Sequence, residues 1–216
     1  MEKFLKIEEL FDLNHTLARE YLQNFEYPWE ALSGLKNYII KLGATLGGEY
    51  EEIYHGVWVH KSAKIADSAK ICAPCIIGED SEVRHCAYIR GSALIGRNCV
   101  VGNSTEIKNS ILFDRVQVPH FNYVGDSILG FCAHLGAGSI TSNVKCDKSP
   151  VTVNGKNTNL KKLGAIIGDR VEVGCNSVLN PGTVIGANTT VYPLSCVRGI
   201  IPADSIFKQN ITFKKE

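Results

Sequence analysis

From Val59 onward, aliphatic side chains return at every sixth residue: Val59, Ile65, Ile71, Ile77, Val83, Ile89, Ile95, Val101 and Ile107 follow without a slip. No helix has that period. After two five-residue steps, around Ser110 and Ser127, the series runs through Leu112, Val118, Val124, Leu129, Leu135 and Thr141, and it resumes at Ile167, Val173, Leu179, Ile185, Val191 and Val197. Two places before most of these stands a small residue, such as Ala69, Ser81, Ala93, Ser139 or Thr183, and directly after many of them a glycine. Period-two alternation inside a short strand turns the aliphatic and the small residue inward, and the glycine marks a sharp turn. A fixed short repeat of this kind predicts a parallel β-helix in which three hexads close one triangular coil. The 21 positions then give seven coils, a prism roughly 34 Å tall at about 4.8 Å per stacked strand.

The first 56 residues lack the repeat. Leu17, Tyr21, Leu22 and Phe25 recur at helical spacing between Thr16 and Phe25, behind a candidate N-cap, Asn14. Pro28 opens a second predicted helix that carries Trp29, Leu32, Leu35, Ile39 and Leu42 on one face and stops at Gly43. Residues 47–56 read as a linker or return strand. A coil buries little by itself, so a β-helix depends on stacking and on covered ends. The expected organisation is therefore a helical cap or oligomer contact over 1–56, the β-helix over 57–200 with an insertion at 143–164, and a second cap in the tail 201–216.

A formal net charge of +1 predicts no bulk attraction to nucleic acid or membrane, so anion recognition must come from a local cluster. The start MEKFLKIEEL has no apolar signal core, and no stretch reaches 18 consecutive apolar residues. A cytoplasmic location is expected. The eight cysteines then read as reduced thiols. Cys72 and Cys75 have CxxC spacing without a second CxxC or a histidine pair, so apolar filling is the expected role and no metal site is assigned.

Within the repeat, VGNSTEIKNS, VPHFNYVGDSILG, HLGAGSITSN and KLGAIIGDRVEVG resemble the acetyltransferase domain of bifunctional glucosamine-1-phosphate acetyltransferase/N-acetylglucosamine-1-phosphate uridylyltransferase, especially its archaeal sugar-1-phosphate nucleotidylyltransferase type. The resemblance spans residues 59 to about 200. It implies an all-β, left-handed parallel β-helix and acetyl transfer from acetyl-CoA to an amino-sugar 1-phosphate, a step of UDP-N-acetylglucosamine biosynthesis. It also implies a homotrimer with its sites between protomers.

By the same resemblance, His120 is the general base and Asn143 orients the sugar amine. Arg90, Lys108, Tyr123, Lys162 and its neighbour Lys161 contact the sugar phosphate, while Gly136, Ala137, Cys175 and Pro193 line the acetyl-CoA site. The preceding nucleotide-binding domain of those enzymes has no counterpart in residues 1–56, so uridylyl transfer is not expected. Val144 stands where the bacterial enzymes carry Tyr, and Cys175 where they carry Ser.

Spacing adds support of its own. Arg90 and Lys108 are 18 residues apart, each just after an inward aliphatic, which stacks them on one corner of adjacent coils as a candidate phosphate site. Cys175 and Pro193 share that spacing and suit an elongated ligand along an edge. Cys86, Cys132 and His134 read as structural. Two other classes share the architecture: a carbonic anhydrase, for which His85, His120 and His134 lack a close pair, and a non-catalytic scaffold or regulatory subunit with the helical segment as its partner surface.

Overall fold

The computed structural model describes residues 5–215; the first four residues of the chain start and Glu216 of the tail lie outside it. The predicted β-helix is present. Three parallel sheets form the faces of a prism, of nine, nine and seven strands. The first coil runs through Val57–His60, Lys64–Ile65 and Lys70–Ile71, one strand on each face. Seven complete coils follow this order, and Ile200–Ile201 with Ser205–Lys208 begin an eighth. The repeat therefore continues past Val197: Ile201 and Phe207 are buried as further inward rungs.

Coil-to-coil register is regular. Ile77, Ile95, Leu112, Leu129, Ile167 and Ile185 stack on the first face and are all fully buried. The inward hydroxyls are satisfied by the next coil: Ser81 Oγ donates to the Gly96 carbonyl at 2.8 Å and accepts the Cys99 N–H at 2.9 Å. At the two five-residue steps a single residue makes the corner, Asn109 (φ 47°) and Asp126 (φ 49°), both in the left-handed region that Asn and Asp tolerate.

The helical part of the segment before the repeat does not cap an end. It lies along the outer side of the first face, where Ile76, Leu94, Ile111, Ile128, Ile166 and Val184 point outward and are nonetheless buried. The helix Leu35–Gly43 packs on the strands Cys75–Ile77 and Ala93–Ile95. Farther up the same face, Phe11 meets Phe113 with ring centroids 5.0 Å apart, His15 stacks on Phe131 at 3.7 Å, and the Asp12 N–H donates to Asp169 at 2.7 Å. Six apolar residues in one outward column cannot be left in water, and this cover removes them from it.

Helix boundaries also differ from expectation. The first predicted helix is reduced to Arg19–Leu22 after a 3-10 turn at Leu13–His15, and the second divides at Gly34 into the 3-10 stretch Pro28–Ser33 and the helix Leu35–Gly43. Gly34 sits against the Tyr21 hydroxyl, which an added Cβ would approach to 2.6 Å, and that hydroxyl donates to the Ala31 carbonyl. The return strand is Tyr50–Tyr54, antiparallel to Val57–His60 at the end of the first sheet. The tail forms the strands Ser205–Lys208 and Ile211–Lys214, an antiparallel cover for the end of the second sheet.

The insertion is a side flap with its own small core. Its neck closes where the Leu163 N–H donates to the Asn143 carbonyl at 3.0 Å, and its hairpin pairs Thr152–Val153 with Lys156–Asn157. Val151 and Val153 are buried, and Lys156 donates to the Tyr27 hydroxyl at 2.6 Å, which joins the flap to the N-terminal cover. Among the described residues no helix is long and apolar enough to cross a membrane.

Close coil spacing yields the first prediction. A Cβ on Gly102 would lie 1.6 Å from the Pro119 carbonyl oxygen of the next coil, whereas one on Gly47 would meet nothing within 4 Å. Gly102→Ala should cost about 2–3 kcal/mol and Gly47→Ala less than about 0.5 kcal/mol, read as urea unfolding midpoints.

Candidate active site

Two edges of the third face collect the residues singled out by sequence. At the corner between the second and third faces, each coil passes its backbone to the next through one hydrogen bond. The His85 carbonyl accepts from Ser104, Asn103 from Phe121, His120 from Gly138, Ala137 from Asn176 and Cys175 from Leu194, all between 2.8 and 3.2 Å. His120, Ala137, Cys175 and Pro193 therefore form one vertical column. His120 ends the strand Gln117–His120 and is exposed, with no ring hydrogen bond among the described residues. Beside the upper part of the column is a groove of about 370 Å³, lined in part by His134, Gly136, Cys175, Tyr192 and Pro193. Of the amides in the Gly136–Gly138 turn, those of Gly136 and Gly138 donate to Val173 and His120. The Ala137 N–H between them is left without a partner among the described residues.

The opposite edge, between the third and first faces, is a charged network centred on a residue that the sequence reading passed over. Asp126 is 3% exposed and binds Lys108 Nζ with both oxygens, at 2.9 and 3.0 Å. It also accepts from Asn109 Nδ2 at 2.9 Å and from Asn143 Nδ2 at 2.6 Å. Asn143 Nδ2 reaches the Tyr123 hydroxyl at 3.1 Å as well. Partial burial pushes the Tyr123 phenol up from its ordinary range, against the Asn143 hydrogen bond that lowers it. Arg90 stacks beside Lys108 as its spacing predicted, but its guanidinium bonds Glu106 at 2.7 Å.

The phosphate corner thus differs from expectation in charge. Arg90 and Lys108 do share a corner on adjacent coils, and each is already neutralised by a carboxylate. The uncompensated cations here are Lys161 and Lys162, both exposed at the neck of the insertion and without an ion pair among the described residues. A second difference concerns Asn143, which joins Tyr123, Lys108 and Asp126 rather than His120. The strand Tyr123–Gly125 runs between the two edges, so one chain does not bring His120 and Asn143 together.

Two further features were not assigned by sequence. His134, read as structural, holds Glu172 at 2.8 Å through Nδ1 on the next coil. Asp126 stands within the quoted stretch VPHFNYVGDSILG, yet a hexad count shows only a missing residue there. Among the described residues, no three His, Cys, Asp or Glu side chains are placed to hold a metal ion.

The family model described as the GMPPB C-terminal domain matches residues 72–163. The chain is 36% identical over 217 residues to "Bifunctional protein GlmU" of Methanococcus maripaludis strain C5, across 98% of this chain and 52% of that protein. It is 29% identical over 174 residues to the "Bifunctional sugar-1-phosphate nucleotidylyltransferase/acetyltransferase" of Sulfurisphaera tokodaii, across 70% of this chain and 43% of the relative. The chain spans about half the length of the curated relatives it matches. Among solved structures, the acetyltransferase domain of PglB from Neisseria gonorrhoeae in complex with acetyl coenzyme A is similar at 16% identity and a TM-score of 0.37, over 74% of this chain and 57% of that one.

The Asp126 network generates the second prediction. Asp126→Ala removes the partner of a Lys108 side chain that is only 25% exposed and frees the Asn143 amide. The expected cost is about 2–3 kcal/mol in urea unfolding.

With its β-helix, its hexad motifs and 36% identity along 98% of its length, the chain is a hexapeptide-repeat, left-handed β-helix similar to about half of the bifunctional GlmU proteins.

Proposed function

We propose that the protein transfers an acetyl group from acetyl-CoA to the amine of an amino-sugar 1-phosphate of the glucosamine-1-phosphate type. The observation that carries this reading is the single column of His120, Ala137, Cys175 and Pro193 beside a groove, with the Tyr123–Asn143–Asp126–Lys108 network across the same face. An elongated thioester lies along the column, and the sugar lies over Tyr123.

The chemistry needs one base and one oxyanion donor. The sugar amine attacks the thioester carbonyl, His120 takes its proton, and the tetrahedral oxyanion is met by the free Ala137 amide. Collapse releases the CoA thiolate, which recovers the proton. Lys161 and Lys162 supply the net positive charge for the phosphate, because Arg90 and Lys108 bring their carboxylates with them. Arg90 and Lys108 then act as fixed hydrogen-bond donors. Uridylyl transfer is not part of the proposed activity.

The separation of His120 from Asn143 favours a site completed between copies, and we place it in a homotrimer. Outward residues on the third face support association there: Tyr88, Ile140 and Val178 are apolar and 40%, 38% and 36% exposed. A second copy laid against this face would cover them.

Two measurements test the reading. With purified protein, acetyl-CoA and glucosamine 1-phosphate, thiol release should be catalytic, and His120→Ala should lower kcat by roughly 10² to 10⁴ while KM changes little. His120 is exposed, so this variant should keep the wild-type unfolding midpoint. Light scattering should give the mass of three chains at micromolar concentration. Absence of acetyl transfer to any amino-sugar phosphate leaves the scaffold reading in its place.

A further inference from the structure

Two coils below His120, the same corner carries a second arrangement of reactive groups that acetyl transfer to a sugar does not use. His85 occupies the column position, and Cys86 follows it in the left-handed region at φ 57°. Cys86 Sγ lies 3.2 Å from His85 Nε2. The other ring nitrogen, Nδ1, is 2.6 Å from Ser68 Oγ on the preceding coil, and Ser68 Oγ also accepts the Cys86 N–H at 3.2 Å. The backbone beneath the ring is fixed, because the His85 carbonyl accepts from both Asn103 Nδ2 at 3.1 Å and the Ser104 N–H at 3.2 Å. All three side chains are exposed to solvent.

We propose that Cys86, His85 and Ser68 form a second nucleophilic centre, one that takes acyl thioesters and becomes S-acylated at Cys86. A thiol facing one imidazole nitrogen, with the other nitrogen held by a hydroxyl, is the nucleophile, base and orienter of acyl transfer. His85 Nε2 takes the thiol proton, and the resulting imidazolium donates to both the thiolate and Ser68. The thiolate attacks the thioester carbonyl, the bond from that carbon to the departing sulfur breaks, and the leaving thiolate takes the proton back from His85. The products are S-acyl-Cys86 and a free thiol, with no oxidant or reductant consumed.

The other cysteines differ in their surroundings. Cys75 and Cys99 are buried, and burial raises both thiols, that of Cys99 to about 12. Burial also raises Cys132. Cys146, Cys175 and Cys196 are exposed, and none has a ring nitrogen at hydrogen-bond distance among the described residues; the Cys196 sulfur instead accepts from Asn180 Nδ2 at 3.3 Å. Cys146 is the internal control in the same molecule. At about 4.8 Å per coil, Cys86 stands about 10 Å from His120 along the edge, so its thioester approaches from solvent rather than from the proposed sugar site.

The test reads each cysteine separately by peptide mass spectrometry and uses no amino sugar, so it stands apart from the sugar-acetylation reading. With limiting iodoacetamide at neutral pH, Cys86 should be alkylated about tenfold faster than Cys146. His85→Ala should bring it down to that rate, and Ser68→Ala should fall between. With acetyl-CoA alone, Cys86 should gain an acetyl group that hydroxylamine removes, and His85→Ala should lose that adduct while its thermal midpoint stays at the wild-type value. The proposal is overturned if Cys86 reacts no faster than Cys146, if His85→Ala leaves its rate unchanged, or if acetyl-CoA leaves Cys86 unmodified.

Discussion

Each coil can bond to the next in only one register, and that constraint organises everything else in the molecule. Parallel strands one coil apart fix the inward rungs, so Ile77, Ile95 and Leu112 must coincide, and they carry the outward side chains into columns with them. A column is a functional device as well as a structural one. It sets His120, Ala137, Cys175 and Pro193 one above another without any contact between their side chains being needed. The inward hydroxyls keep the register specific, since a coil slipped by one residue would bury Ser81 and Ser139 without their carbonyl partners.

Much of this was legible in the amino-acid sequence because the period of six is a direct image of the register. The faces, the direction of the side chains and the columns at 18-residue spacing all follow from counting. What counting missed has a physical cause in each case. The inward rungs alone suggest an end cap or an oligomer contact for the N-terminal helices, because they carry no sign of what covers the outside of a face. The residues just before those rungs carry the missing signal. They are Ile76, Leu94, Ile111, Ile128, Ile166 and Val184 on the first face, but Glu82, Gln117, His134 and Glu172 on the second. One face is apolar outside and has to be covered. The break at Gly34 depends on a tertiary contact with Tyr21, which helical periodicity does not contain.

Spacing shows which candidate residues share an edge of the prism and does not show how their charges pair. Spacing placed Arg90 next to Lys108, but it could not show that Asp126, at a five-residue step, sits between Lys108 and Asn143 and bonds both. At the shortened corner Asp126 is 3% exposed and pairs with Lys108, and Glu106 separately pairs with Arg90, so the two cations stand as two ion pairs. The same geometry separates Asn143 from His120 and makes a neighbouring copy part of the proposed chemistry.

The central claim is that the thioester lies along the column above His120, and Cys175 reports on it directly. Cys175 is exposed in that column, while Cys146 is exposed on the insertion, outside the column. Alkylation rates of the two thiols should be compared with and without saturating CoA. The account predicts that CoA slows Cys175 by more than about tenfold and leaves Cys146 unchanged. Equal rates at Cys175 with and without CoA would contradict it.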